Sequence, residues 1–369
     1  MTLTANTLPG DQARCIDAGY SGRVSRRMVT LLVALLPVVA LGVLGGVLTV
    51  PYVALGPGPT FNTLGIVDDK PVVEINGTQV DPTTGNLNMT TVSVRDGLTI
   101  FEALGFWASG RQGLVPRAEV YPPDKSKEDI EKGNEADFKQ SEDSAELAAL
   151  HYLDKAGLGD FPVSLVIDDV GADGPAKDAL RKGDELISIN DVDVSTVCGV
   201  QKIVGDAKPD TEVTVRFKRD GVETSTAIKL GARPNAEDKG YLGITPDEKP
   251  QIPFTVDFNL ADIGGPSAGL MFSLAVVDKL STGELSGGEF IAGTGTINSC
   301  GEVGPIGGIP YKMIAARDAG ASTFLVPADN CDEAKQRTPD GLRLVKVDTL
   351  ESAVKSLESI RSGGDAPSC

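Results

Sequence analysis

The chain has 369 residues, is 41% hydrophobic and carries a formal charge of −18. That length accommodates two or three domains, and so acidic a chain is a poor match for a nucleic-acid backbone or an anionic lipid headgroup as its main partner. With one histidine in the whole sequence and no metal-ligand spacing among its five cysteines, neither a metal nor any other cofactor is expected.

The first predicted element is the apolar, uncharged run Met28–Val50, long enough to cross a bilayer as a helix. Arg14, Arg23, Arg26 and Arg27 precede it, and the next basic residue is Lys70. This asymmetry makes residues 1–27 a cytoplasmic tail, 28–50 a single membrane span and the remainder extracytoplasmic. The alternative is a cleaved signal peptide, but the run is long for one and no clean small-x-small site follows it. Residues 51–157 show no recognisable fold. Within them Val72–Gly77 and Leu87–Val94 have strand character, and Pro116–Asp124 suits a hinge. Ser126–Ala156 turns acidic and helical behind Ser126-x-x-Asp129, a variant of the capping box, with His151 half-packed on that helix.

Residues 158–231 have the pattern of a small β-rich module. Val163–Ile167 is a strand and Gly183–Asn190 a second with its lead-in turn, a short helix ends near Leu180, a second runs from Thr196 to Val204, and Asp220-Gly221 turns a hairpin between Glu212–Arg219 and Glu223–Leu230. The run Gly174-Pro175-Ala176, Leu180-Arg181-Lys182-Gly183-Asp184-Glu185-Leu186-Ile187, Ile189-Asn190 resembles a bacterial PDZ domain. The resemblance implies a peptide bound as an added strand, with the carboxylate loop at Leu158, Gly159, Asp160 and Phe161. The alternative is a scaffold that binds no peptide. Residues 232–251 are polar and contain proline, as a linker would.

Residues 252–361 hold two Gly-rich runs, each feeding a helix. After Gly264-Gly265-Pro266-Ser267-Ala268-Gly269 the sequence is apolar almost all round to Leu280, so that helix is buried. Pro266 suits a first helical position, which places Ser267 in the first turn, where N–H groups around Gly265–Ser267 can stabilise an oxyanion. In the second run Pro310 opens a helix ended by Gly320, with Lys312 in its first turn. Burial and the positive end of the helix dipole both disfavour the ammonium form there, which would make Lys312 a base for a serine. Ser267 can also be read as a small residue in a packing turn. Gly265–Gly269 fits a nucleophile elbow as well, but that arrangement needs a histidine after the serine, and His151 precedes it.

Together with Thr294-Gly295 and Gly301-x-Val303-x-Pro305-Ile306-Gly307-Gly308-x-x-x-Lys312-x-x-Ala315-Ala316-x-x-Ala319-Gly320, these residues resemble the proteolytic domain of Lon proteases from about residue 252 to 360. The resemblance implies a Ser-Lys dyad of Ser267 and Lys312, Thr294 orienting the lysine, and a homo-oligomeric ring, commonly a hexamer. Where that family usually has glutamate two residues after the threonine, this chain has Thr296. No Gly-x-x-x-x-Gly-Lys-Ser/Thr loop occurs, so cleavage without ATP, on flexible or extended protein segments, is expected.

The predicted architecture is therefore α+β: a transmembrane helix, a PDZ-like β-rich module and a Lon-type α/β proteolytic domain. A bridge between Cys300 and Cys331, which flank the Lys312 helix, and a disordered tail at 362–369 complete the expectations. The activity expected is that of a membrane-anchored serine endopeptidase acting on protein or peptide. The alternative is a non-catalytic PDZ adaptor whose Lon-like part only assembles subunits.

Overall fold

The computed structural model describes residues 26–261 and 263–369; most of the expected cytoplasmic tail, with Arg14, Cys15 and Arg23, and Asp262 lie outside them. In chain order the longer elements are α1 (Arg26–Val47), β1 (Tyr52–Asn62), β2 (Val73–Asn76), β3 (Asn86–Arg95), α2 (Ile100–Ser109), β4 (Gly113–Pro116), α3 (Lys127–Lys155), β5 (Val163–Val170) and β6 (Glu185–Ile189). They continue with α4 (Val197–Asp206), β7 (Glu212–Arg219), β8 (Val222–Lys229), β9 (Ile244–Pro250), β10 (Thr255–Phe258), α5 (Gly269–Leu280), β11 (Phe290–Gly293), α6 (Ile309–Ala319), β12 (Thr323–Pro327), β13 (Arg343–Val347) and α7 (Leu350–Arg361). Among the described residues α1 is the one helix long and apolar enough to cross a membrane, and of its side only Gly45 is buried.

The mixed α+β chain builds two larger sheets. The first has the order β13-β12-β11-β3-β1-β4. Its strands from β3 to β13 run parallel; β1 adds to β3 antiparallel, and β4 adds to β1 antiparallel. Three of its six strands thus come from residues 52–116, the stretch whose fold the sequence leaves open. Helix α5 lies in the core of this half with every residue from Gly269 to Asp278 buried, as its apolar sequence requires. Helix α3 packs beside it, with Phe138 edge-on to Phe272 at 5.7 Å between centroids. Its capping box is formed as expected, Ser126 with Asp129.

The second sheet has the order β8-β7-β6-β5-β9, with the short strand Val192–Asp193 beside β6. Its hairpin turns on Asp220 and Gly221, both with positive φ (50° and 82°), the conformation that a two-residue hairpin loop demands. Leu165, Ile167, Ile189, Val213, Val215 and Phe217 fill its separate core. Gly174–Leu180 forms turns rather than a helix.

Several expectations are corrected. The 232–251 stretch is no linker: its second half is β9, which pairs antiparallel along β5 from Ile244↔Val170 to Pro250↔Val163. Two prolines and three charged residues mask this strand in the sequence, yet an edge position tolerates them. Helix α7 is capped by a box of Thr349 with Ser352. The expected Cys300–Cys331 bridge does not form. Cys300 pairs with Cys198 and Cys331 with Cys369, because Cys198 heads α4 where α4 meets the loop holding Cys300, and the tail folds back across β13. That return, with Lys346 N–H donating to the Pro367 carbonyl, also replaces the disordered tail.

Candidate active site

The nucleophile loop is fixed from three directions. Gly265 takes a left-handed conformation (φ 86°), which glycine alone adopts at little cost, and its N–H donates to the Asn134 carbonyl on α3 at 2.9 Å. Ser141 Oγ, about two turns further along α3, donates to the Pro266 carbonyl at 3.1 Å. From the strand side, Gly295 N–H (3.0 Å) and Thr294 Oγ1 (3.1 Å) both donate to the Ser267 carbonyl. Helix α5 starts only at Gly269, so Ser267 stands just ahead of the helix and not within its first turn. Of the expected oxyanion donors, the Gly265 N–H is committed to Asn134 and Pro266 has none. The Ser267 N–H is the one left in that run.

Lys312 arrives from the opposite side of the cleft. Gly308 (φ 71°) turns the chain into α6, Pro310 occupies its second position, and Lys312 follows two residues later, 3% exposed. Its Nζ is 2.8 Å from Ser267 Oγ, 3.1 Å from Thr294 Oγ1 and 2.7 Å from the Thr90 carbonyl oxygen. None of these partners is a carboxylate. Burial pushes the lysine down to about 7. A neutral amine has two N–H donors and one lone pair. The three contacts fit that inventory: two N–H groups to Thr90 and Thr294, and the lone pair to the Ser267 hydroxyl.

The structure thus brings together Ser267, Lys312, Thr294, Gly265 and Pro266 from the sequence expectation. It adds the Thr90 carbonyl on β3 and Asn134 and Ser141 on α3. A backbone carbonyl carries no sequence signal, and the two α3 residues act from a segment far away in the chain. The cleft beside the dyad has a volume of about 530 Å³, with apolar walls from Met89, Phe138, Ile263 and Ile306. Among the described residues no group of His, Cys, Asp and Glu could hold a metal ion.

Leu158, Gly159, Asp160 and Phe161 do not border an open strand edge, and Leu158 instead lines a small pocket with Tyr152 and Val277. Phe161 packs edge-on against Phe254, and its N–H donates to Asp154. They lead into β5, whose two edges are taken by β6 and β9, so no further strand can add there; the sheet ends at β9. The two halves of the molecule meet at Glu248 on β9, which is 5% exposed. Its carboxylate accepts from Val197 N–H (2.6 Å) and Ser299 Oγ (2.6 Å) and bonds His151 Nε2 on α3 at 2.9 Å.

Two family matches cover parts of the chain. Residues 136–230 match the PDZ domain, and residues 261–358 match the Lon protease (S16) C-terminal proteolytic domain. Strands β1, β3 and β4 fall outside both. Curated relatives include Lon protease 1 of Sorangium cellulosum, 31% identical over 168 residues (44% of this chain, 20% of that protein), and Lon protease of Vibrio parahaemolyticus, 36% identical over 119 residues (31% and 15%). The chain therefore spans a fifth or less of the length of these relatives. The PDZ domain of an SdrC-like protein from Listeria innocua is 20% identical, covering 22% of this chain and 92% of that one with a TM-score of 0.21. The chain thus carries one stretch similar to a PDZ domain and one similar to a Lon-type proteolytic domain.

Proposed function

We propose that the chain is a membrane-anchored, ATP-independent serine endopeptidase that works outside the cytoplasm through a Ser267–Lys312 dyad. Neutral Lys312 takes the proton as Ser267 Oγ attacks the scissile carbonyl, and returns it to the leaving amine. The Ser267 N–H supports the developing oxyanion. Thr294 and the Thr90 carbonyl hold the amine on the hydroxyl, so that its lone pair points at the proton to be moved. The acyl-enzyme is then released by water with the same lysine as base.

Substrates would enter the cleft as extended or flexible segments, because nothing in the sequence supplies unfolding power. The PDZ part would present or regulate them at the open edge of β9. Subunits would assemble as a homo-oligomer, with a hexameric ring the arrangement that the Lon resemblance implies. The observation that carries the proposal is the 2.8 Å contact of Lys312 Nζ with Ser267 Oγ in a site with no counter-charge among the described residues. A fluorophosphonate probe tests it: labelling of wild type, lost in Ser267→Ala and in Lys312→Arg, is the expected result. An unlabelled wild type that still assembles would instead establish the non-catalytic adaptor.

A further inference from the structure

Helix α2 is apolar around most of its circumference, yet only Ala103 of its ten residues is buried. Phe101 and Leu104 are about half exposed, and Trp107 is 73% exposed. Its polar side chains, Glu102 and Ser109, fall together on one side of the wheel at 100° per residue. A short apolar helix left uncovered in this way needs an occupant.

The position of α2 relative to α1 identifies it. The backbone just before α2 is paired to the end of α1: Val50 N–H donates to the Leu98 carbonyl at 2.8 Å, and Ile100 N–H to the Leu48 carbonyl at 3.3 Å. Thr49 and Thr99 form a bridge at the same level. The Phe101 ring occupies the space over Gly45, where a Cβ would meet its Cζ at 2.6 Å. Gly45 lies five residues inside the end of the apolar run and three before Leu48, about 4–5 Å below Leu48 at the helical rise. Phe101 therefore sits at the depth of the membrane span, and α2 leaves from there. Phe, Leu and Trp on one side with polar groups on the other is the make-up of a helix lying in a headgroup layer.

We infer that α2 is an interfacial helix, whose Phe101, Leu104 and Trp107 enter the outer surface of the bilayer that α1 spans. The inference rests on the anchored reading of α1 and adds a second, in-plane attachment. A helix that only links β3 to β4 could point its aromatic residues into the protein core, and this one does not. With α1 and α2 both held, the body cannot swivel freely about a single tether, so the sheet carrying the dyad keeps a fixed attitude to the membrane.

Trp107 is the one tryptophan in the chain, which makes the test direct. The full-length protein is placed in nanodiscs of phosphatidylcholine brominated either near the headgroup end of the acyl chain or near its terminus. The expected result is a blue-shifted Trp107 emission, quenched several-fold more by the shallow bromines than by the deep ones and poorly reached by aqueous acrylamide. The double variant Phe101→Glu, Leu104→Glu should recover acrylamide access while the protein stays in the disc. A chain that incorporates into discs but shows no bromine quenching and full acrylamide access overturns the inference and leaves the anchor standing. A blue shift that grows with protein concentration, without bromine quenching, overturns it in favour of a second copy covering α2. Failure of the chain to enter discs overturns the anchored reading and this inference with it.

Discussion

In the second sheet Asp184 is 2% exposed and accepts two hydrogen bonds from Arg219, at 2.7 and 2.6 Å, and one from the Arg181 N–H at 2.8 Å. In the cleft of the first sheet Lys312 is 3% exposed and meets only neutral oxygens. Both are charged side chains taken out of water, and their fates diverge because of the partner. Burial alone would raise the Asp184 carboxyl, but Arg219 and the Arg181 N–H outweigh it and hold the group below its ordinary value, so it stays an anion. Lys312 has no such partner among the described residues, and burial leaves it able to shed its proton near neutral pH. A buried charge with a partner is structure; one without is reactivity.

The largest effect expected is at the unpartnered site. Ser267→Ala and Lys312→Arg should each lower peptide turnover by about 10³-fold or more, with fold retained. Guanidinium cannot become neutral at these pH values, so an active arginine variant breaks the comparison outright. The wild-type rate should rise through about pH 7 along one deprotonation and level off above it. A profile flat from pH 6 to 8 would also break it. Stability carries the same signature. The folded lysine titrates near 7 and the unfolded one near ~10.4, so between those values the unfolded chain binds the extra proton and stability climbs with pH. Lys312→Met should remove that slope in urea titrations at pH 7 and 9.

The partnered site should respond in the opposite sense. Asp184→Asn is expected to cost about 2–3 kcal/mol in denaturant melts, under the range for a fully buried pair because Arg219 keeps 27% of its side chain in water. Cleavage of a short peptide should hardly change. Because the Asp184 carboxyl is depressed on folding, its contribution is present above pH ~4 and is lost as pH falls through the folded value. Equal losses of peptide cleavage and stability would show that the two regions are one cooperative unit.

Smaller effects should come from the joints between them. Cys198→Ser with Cys300→Ser should cost about 2 kcal/mol, the low end for a bridge, since the two halves have separate cores. His151→Gln should cost about 1 kcal/mol, one hydrogen bond to Glu248. If either change slows a folded protein substrate more than a short peptide, the joint transmits something from one half to the other.

Much of the approach of Lys312 to Ser267 was legible because its geometry is made by local turn chemistry: Gly265 ahead of Ser267, and Gly308 with Pro310 ahead of Lys312. The β7–β8 hairpin was legible for the same reason, since Asp220-Gly221 prescribes its own turn. What the sequence withheld is long-range. Asn86–Met89 on β3 must cross about half the chain to pair with Phe290–Gly293, and no local pattern states that partner. The Thr90 carbonyl, the Asn134 carbonyl and the Cys198–Cys300 pairing are likewise contacts between segments far apart in the chain. Ser267 itself was placed one turn too far into α5, because Pro266 fits a helix start but the glycines before it extend the loop.

One consequence of β1 concerns altitude. The strand begins at Tyr52, directly beyond α1, and at Pro59 it already forms part of the cleft wall. Seven residues of strand span no more than ~23 Å at 3.3 Å each. In the anchored reading β1 is thus a ruler between lipid and scissile bond. Membrane proteins with a flexible stalk reaching that height would be in range, and one whose ectodomain begins tightly against the bilayer would not. Selection of where a neighbour is cut would then be decided by distance from the membrane before any side chain is recognised.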